Sequence, residues 1–99
     1  MSAILGEDAM FRQAGDAVSR VIQGETVLLT PEDSSVHVLD EVGSRIWDLC
    51  AEPVTVATLA GKIAEEYDVS EAKAALDIHD FLSRLIDMGV VCEDGRAAD

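Results

Sequence analysis

The side chains best suited to chemistry in this sequence are two cysteines and two histidines, Cys50, Cys92, His37 and His79. Four such nitrogen and sulfur ligands can complete a zinc site, and a Cys–His pair can supply a nucleophile with its base. The cysteines lie far apart, no pair has the short spacing of a metal motif, and no Gly-rich turn marks an oxyanion hole. We therefore expect no metal, no cofactor and no catalytic residue, and two thiols that stay reduced.

The charge balance is the least ordinary property of the chain. Seven Lys and Arg oppose twenty Asp and Glu, which gives a net charge of −13 at pH 7. A nucleic-acid binder needs basic groups to neutralise phosphates, and an anionic membrane surface likewise attracts only basic segments. We therefore expect no nucleic-acid partner and no membrane partner. Acidic pairs such as Glu65-Glu66 are most simply a solvated helix face.

Length and hydropathy indicate one soluble domain. The chain has 99 residues, of which 48% are hydrophobic, a balance that excludes global disorder. It contains no run of about 18 apolar residues that could cross a membrane. Residues 1–8 lack a basic patch followed by an apolar stretch, so no secretory signal is visible and we expect a cytoplasmic protein. We predict a flexible arm over 1–15, a domain over 16–92 and a flexible tail over 93–99.

The first half of the domain reads as three short strands. Residues 17–22 and 25–29 are separated by Gln23-Gly24, a pair suited to a tight hairpin because Gly tolerates positive φ. A third strand, residues 36–39, follows the turn-forming segment Pro31-Glu32-Asp33-Ser34-Ser35. This pattern predicts a three-stranded antiparallel sheet.

The second half has the period of three helices. We predict that Asp40, Thr55 and Ser70 cap them, and that the third helix runs to about residue 87 and ends at Met88-Gly89. Val90, Val91 and Cys92 then return to the core. The fold class is α+β: a three-stranded antiparallel sheet followed by three helices, in a winged-helix-like arrangement.

The third helix carries more apolar surface than one core requires. One stripe contains Ala74, Ile78, Phe81, Leu85 and Met88, and a second contains Ala75, Leu82 and Ile86, bordered by Ala72 and His79. A helix on a single core needs an apolar stripe of only about 100° or somewhat more. Two interpretations stay open: the sheet and the other helices bury all of it, or the second stripe lines a groove. The third strand, if it lies at a sheet edge, could pair with an extended peptide.

An ordered set of residues carries a resemblance to a known family. The set comprises Val36-His37-Val38-Leu39-Asp40-Glu41-Val42-Gly43-Ser44-Arg45-Ile46-Trp47-Asp48-Leu49, Thr55-Val56, Leu59-Ala60, Glu66-Tyr67, Asp77, Phe81-Leu82, Leu85 and Gly89-Val90-Val91. In this order the residues resemble the PqqD family over roughly residues 16–92. The family usually has Asn where this chain has Asp40, and either residue can cap a helix.

The resemblance implies a RiPP recognition element, a non-catalytic module that binds the leader segment of a ribosomally made precursor peptide. Such modules present the peptide to a modifying enzyme, commonly a radical S-adenosylmethionine enzyme, in pyrroloquinoline quinone biosynthesis or a related pathway. In the family the leader adds as a strand along the third strand and lies against the third helix. We therefore expect a peptide-binding site made of Ser35, Val36, His37, Val38, Leu39, Ala75, His79, Leu82 and Ile86.

Three other classes of function fit the sequence less well. A winged-helix DNA-binding regulator is the alternative, although the third helix offers only Lys73 and Arg84 against four acidic residues. A small enzyme has no support beyond the two histidines. A homodimer stays open, because an exposed edge strand can also pair with a second copy.

Overall fold

The computed structural model describes residues 9–15, 17–30 and 35–96. In chain order its elements are β1 (Ala9–Gln13), β2 (Val18–Ile22), β3 (Glu25–Leu29), β4 (Val36–Val38), α1 (Glu41–Leu49), α2 (Val56–Tyr67), α3 (Glu71–Asp87) and β5 (Val91–Arg96). The predicted α+β class, with a three-stranded antiparallel sheet before three helices, is confirmed.

The three-stranded sheet has the strand order β2-β3-β4, with both neighbouring pairs antiparallel. Gln23 and Gly24 connect β2 to β3 with φ values of 55° and 84°. Positive φ at both central residues is the geometry whose twist matches a two-residue hairpin, which is why the turn contains Gly. The remaining turn predicted at Pro31–Ser34 lies outside the described residues.

All three predicted helix caps are confirmed. The side chains of Asp40, Thr55 and Ser70 accept hydrogen bonds from the backbone N–H three residues later. Each cap satisfies one of the N–H groups that a helix leaves without an internal partner at its start. The long helix α3 ends where expected, since Gly89 has a φ of 81° and Val90 N–H bonds back to the carbonyl of Leu85 at 3.1 Å.

The core lies between the inner face of the three-stranded sheet and the helices. Leu28 of β3 and Leu82 of α3 are fully buried, and Trp47 of α1 is 2% exposed. The hydroxyl of Ser44 joins α1 to the sheet, because its Oγ accepts from Thr26 N at 3.3 Å and lies 3.4 Å from the Leu39 carbonyl. This contact fixes β4 close to the start of α1.

The structure differs from the sequence expectation at the two ends of the chain. Residues 9–13 of the expected flexible arm form β1, which pairs antiparallel with β5 at residues 91–96. Phe11 of β1 is 1% exposed and exchanges two backbone hydrogen bonds with Val54, of 2.8 and 3.0 Å. Burial of an aromatic side chain favours the ordered strand over a solvated arm. Residues 1–8 and 97–99 of the expected arm and tail lie outside the described residues.

Candidate functional site: a free strand edge beside the third helix

Strand β4 forms one edge of the three-stranded sheet. Its residues Val36, His37 and Val38 pair with Leu29, Leu28 and Val27 of β3. Within the described residues, no strand pairs with the other side of β4. An edge strand of this kind offers main-chain donors and acceptors to an incoming extended chain.

The hydrogen bonds on either side of β4 reveal which of its groups point outward. Thr30 N–H donates to the Ser35 carbonyl at 3.0 Å, and Leu39 N–H donates to the Thr26 carbonyl at 2.8 Å. In an antiparallel pair, residues that exchange hydrogen bonds alternate with residues that do not. His37 therefore faces β3 with its N–H and C=O, whereas Val36 and Val38 direct theirs to the free edge.

The side chains of β4 are divided between the two faces of the sheet. Val36 and Val38 are each 59% exposed and lie on the outer face. His37 is half-buried on the inner face opposite Leu28, and Leu39 after it is buried. The strand therefore has a free edge, an exposed apolar face and a face that meets the helices.

An open groove separates β4 from α3. One cavity of about 400 Å³ is lined by His37, Leu39, Phe81, Arg84, Leu85, Asp87 and Met88. A second, of about 510 Å³, extends between α1 and α3 and is lined by Val38, Asp40, Val42, Gly43, Ile46, Asp77, Asp80, Phe81 and Arg84. Both cavities include Phe81 and Arg84, so they lie side by side along α3, and together they are called the groove below.

Gly43 allows α1 to approach α3 at the wall of this groove. A Cβ at residue 43 would lie 3.0 Å from Asp40 Oδ1 and 3.2 Å from Phe81 Cζ. The same Asp40 oxygen accepts a hydrogen bond of 2.7 Å from Gly43 N–H. The absence of a side chain at residue 43 therefore lets Phe81 sit against the cap of α1.

Two ion pairs lie on the groove side of α3. Lys73 Nζ is 3.3 Å from Asp77 Oδ2, and Arg84 Nη2 is 3.4 Å from Asp80 Oδ2. All four side chains are between 68% and 75% exposed. Exposed pairs one turn apart contribute only about 0.3–0.5 kcal/mol, so these charges stay available to a ligand.

The predicted site residues divide into two groups in the structure. Ser35, Val36, His37, Val38 and Leu39 lie together at the sheet edge, as the sequence suggested. The helix residues chosen with them lie on another face of α3: Leu82 is fully buried, and Ala75 and Ile86 are half-buried against the core. Neither cavity of the groove is lined by these residues or by His79.

The helix residues beside β4 belong instead to the other apolar stripe of α3. Phe81 and Met88 are half-buried and line the groove with Leu85, which is itself only 2% exposed, whereas the sequence pattern had favoured the second stripe. The sequence could have identified them, because their stripe lies next to the polar side of α3, which carries Asp77 and Arg84. An apolar stripe that borders a solvated arc lies at the rim of a core, where a groove can open.

Metal ligands are not clustered in the part of the chain that the structure describes, and the thiol of Cys50 is not activated. They contain no group of three or more His, Cys, Asp or Glu side chains that could hold a metal ion. Cys50 is buried, and burial raises the pKa of its thiol to about 11. Such a thiol is a poor nucleophile because little thiolate forms near neutral pH. Nor does any described helix have the length and apolar character that a membrane span requires.

Comparisons with known proteins point to one family. The sequence model of the family described as Coenzyme PQQ synthesis protein D (PqqD) matches residues 25–91. The structure of TbiB1 in complex with the TbiA(beta) leader peptide is 32% identical in sequence. That match covers 88% of this chain and 99% of TbiB1, with a TM-score of 0.73. No curated protein matches the sequence.

Two further structures resemble this chain. The PqqD truncation of Methylobacterium extorquens PqqCD is 26% identical, and the match covers 92% of this chain and 96% of that one, with a TM-score of 0.75. It is described as a functional and stand-alone RiPP recognition element. Lasso peptide synthetase B1, complexed with the leader peptide, is 21% identical over 83% of this chain and 96% of its own, with a TM-score of 0.74. At that identity the likeness concerns the fold alone.

Proposed function

The chain belongs to the PqqD family, and from that premise we propose that it binds the leader segment of a ribosomally made precursor peptide. In this proposal the chain presents the bound peptide to an enzyme that modifies it. TbiB1, which is similar to this chain over most of its length, was solved with a leader peptide bound.

One observation carries the proposal: β4 has a free edge next to an open groove. The outward N–H and C=O groups of Val36 and Val38 can bond to an extended peptide, which would become the next strand of the sheet. Main-chain bonds of this kind tolerate many sequences. The groove along α3 would then select side chains, because the half-buried side chains of Phe81 and Met88 line it.

This assignment revises the predicted site on the helix side. We retain Ser35–Leu39 as the strand contact. In place of Ala75, His79, Leu82 and Ile86 we propose the groove-lining face of α3. A peptide could reach Leu82 only by opening the core, since that side chain is fully buried.

The remaining features of the function are proposals of the same kind. We propose that the chain is not an enzyme and that its partner is a radical S-adenosylmethionine enzyme, as the family resemblance implies. We place it in the cytoplasm, where a reducing environment keeps Cys50 and Cys92 as the free thiols of the structure. Dimer formation through the β4 edge would compete with the leader for the same main-chain groups.

The DNA-binding alternative receives no support from the family match or from the similar structures. The exposed part of α3 carries four acidic residues, Glu71, Asp77, Asp80 and Asp87, against Lys73 and Arg84. A recognition helix with that balance would repel the phosphates on either side of a DNA groove.

Titration calorimetry tests the proposed function. Synthetic leaders from short precursor peptides encoded beside the gene are titrated into the purified chain, with scrambled leaders of the same composition as the control. We expect one leader to bind with a stoichiometry of one and its scrambled form to bind more weakly. Equal binding of both forms, or binding of duplex DNA that weakens steeply with salt, would contradict the proposal.

A further inference from the structure

The two ends of the groove along α3 differ in chemistry. The end nearer the C-terminus of the helix, here called the apolar chamber, is lined by Leu39, Phe81, Leu85 and Met88, together with His37, Arg84 and Asp87. The other end, here called the acidic chamber, has the carboxylates of Asp40, Asp77 and Asp80 in its lining, together with Ile46 and part of Val38. A peptide strand that follows β4 past α3 must meet both chambers.

The chambers are neighbours, as alternate side chains on one face of an extended chain are. Phe81 and Arg84 line both chambers, so the two adjoin each other on α3. Two residues of a strand span about 6.6 Å, and residues two apart point to the same face. Side chains at positions i and i+2 of a bound peptide can therefore enter the two chambers at once.

The acidic chamber has an excess of negative charge that a ligand can neutralise. Its lining has the three carboxylates and a single guanidinium, Arg84, which pairs with Asp80. Asp77 pairs with Lys73 from outside the chamber. Both pairs are highly exposed and weak, so a cation that enters the chamber can replace or join the existing partners.

We infer that the groove selects an extended segment in which a basic side chain and a large apolar side chain are two residues apart. The basic group lies in the acidic chamber near Asp77 and Asp80, and the apolar group fills the apolar chamber. This inference rests on the proposed peptide-binding function and names the class of leader that the site accepts.

The net charge of the chain provides the competing explanation. A chain with a charge of −13 attracts any basic peptide, at whatever position its charges lie. The inferred site also requires that the basic residue of the peptide lies at a fixed spacing from an apolar residue. Attraction to the carboxylates of the acidic chamber can be distinguished from attraction to the net charge of the chain. Two variants that each remove two negative charges, one inside and one outside the chamber, make this comparison.

The test variant is Asp77→Asn with Asp80→Asn, and the control is Glu52→Gln with Glu65→Gln. All four positions are exposed, and the control positions line neither cavity. Both variants therefore carry the same net charge of −11, two less negative than −13. Circular dichroism checks that each keeps its fold.

A displayed library of random 12-residue peptides is selected on the wild-type chain and on both variants. In the wild-type and control pools we expect Lys or Arg two positions from Leu, Ile, Met or Phe to rise above its input frequency. In the Asp77→Asn/Asp80→Asn pool we expect the apolar residue to persist and the basic preference to disappear. For one selected peptide, Lys→Gln should weaken binding about threefold to fivefold to the wild-type chain and not to this variant.

Each other outcome counts against the inference. Wild-type pools with apolar residues but no basic preference would overturn it and leave the proposed function standing. A basic preference lost equally in both variants would overturn it in favour of the net charge. A wild-type chain that enriches no peptide would contradict the proposed function and this inference with it.

Discussion

A proline at residue 36 should block peptide addition to β4 while leaving the sheet intact. The N–H of Val36 points to the free edge and not to β3, as the pairing of the flanking residues requires. Proline lacks that N–H, and it is tolerated at the first residue of a strand and on edge strands. Val36 is both the first residue of β4 and 59% exposed.

The expected magnitudes follow from the bonds that are lost. In the free protein Val36→Pro removes no ladder bond, so the free energy of unfolding should fall by no more than about 1 kcal/mol. In the complex it removes one main-chain bond to the peptide, with a net contribution of about 1 kcal/mol. That loss corresponds to an increase in Kd of about fivefold, and more if the proline ring displaces the peptide strand.

Two further variants isolate the main-chain effect. Val36→Thr keeps the N–H and the β-branched shape, so it should bind leader almost as well as the wild-type chain. His37→Pro removes a bond to β3 and leaves the Leu28 carbonyl without its donor, so it should lower the free energy of unfolding by about 1–3 kcal/mol. Urea unfolding measures the stabilities, and fluorescence anisotropy with labelled leader measures the affinities.

The reasoning about β4 has two independent points of failure. If Val36→Pro binds leader as tightly as Val36→Thr, residue 36 donates no bond to the peptide. If Val36→Pro destabilises the free protein as much as His37→Pro does, the N–H of Val36 bonds to β3 and does not point to the free edge.

Three further predictions concern the core and the groove. Phe11→Ala should lower the free energy of unfolding by about 3–5 kcal/mol in urea, because Phe11 is 1% exposed, whereas a loss below about 1 kcal/mol would place β1 outside the core. Gly43→Ala should weaken leader binding more than it changes stability, since its Cβ must displace Phe81 at 3.2 Å while alanine favours the helix by up to about 1 kcal/mol. If calorimetry finds an unchanged affinity for the Gly43→Ala variant, the position of Phe81 does not contribute to leader binding. Burial raises the pKa of Cys50 from 9.0 to about 11, so the folded chain holds this proton to higher pH than the unfolded chain. The free energy of unfolding should therefore fall as pH rises from about 9 to 11, and a Cys50→Ala variant that shows the same slope would refute this origin.

Local signals in the sequence were sufficient for the elements whose geometry is set by nearby residues. The Gln23-Gly24 hairpin and the caps at Asp40, Thr55 and Ser70 each depend on contacts within a few positions. A turn that needs positive φ and a helix start that needs an acceptor leave a direct mark on residue type.

The β1–β5 sheet could not be inferred in the same way. Its strands lie at opposite ends of the chain, and residues 9–13 contain Arg12 and Gln13 rather than a clear apolar alternation. The strand exists because Phe11 reaches the core and bonds to Val54 in the connection between α1 and α2. Such pairing is decided by tertiary contacts that no short window contains.

The position of β4 could be predicted from the sequence, but the face of α3 that lies beside it could not, for a related reason. An edge strand and a surplus of apolar surface on α3 were visible in the sequence, and the edge strand lies where it was expected. Which stripe of α3 faces β4 depends on how the helix is rotated against the sheet. Leu82 and Phe81 are adjacent in the chain, yet Leu82 is fully buried and Phe81 lines the groove. The period of the apolar residues identifies the stripes of α3, but it does not determine which stripe the helix turns toward β4.

Amide hydrogen exchange along β4 tests the central claim most directly. In the free chain we expect the His37 N–H to exchange slowly, because it bonds to β3, and the N–H groups of Val36 and Val38 to exchange fast. Saturation with leader should slow exchange at Val36 and Val38 and leave His37 little changed, which NMR of ¹⁵N-labelled protein resolves residue by residue. Unchanged fast exchange at Val36 and Val38 in the saturated complex, with new protection at Ser19 and Val21 of β2 instead, would contradict the claim that the leader adds to β4.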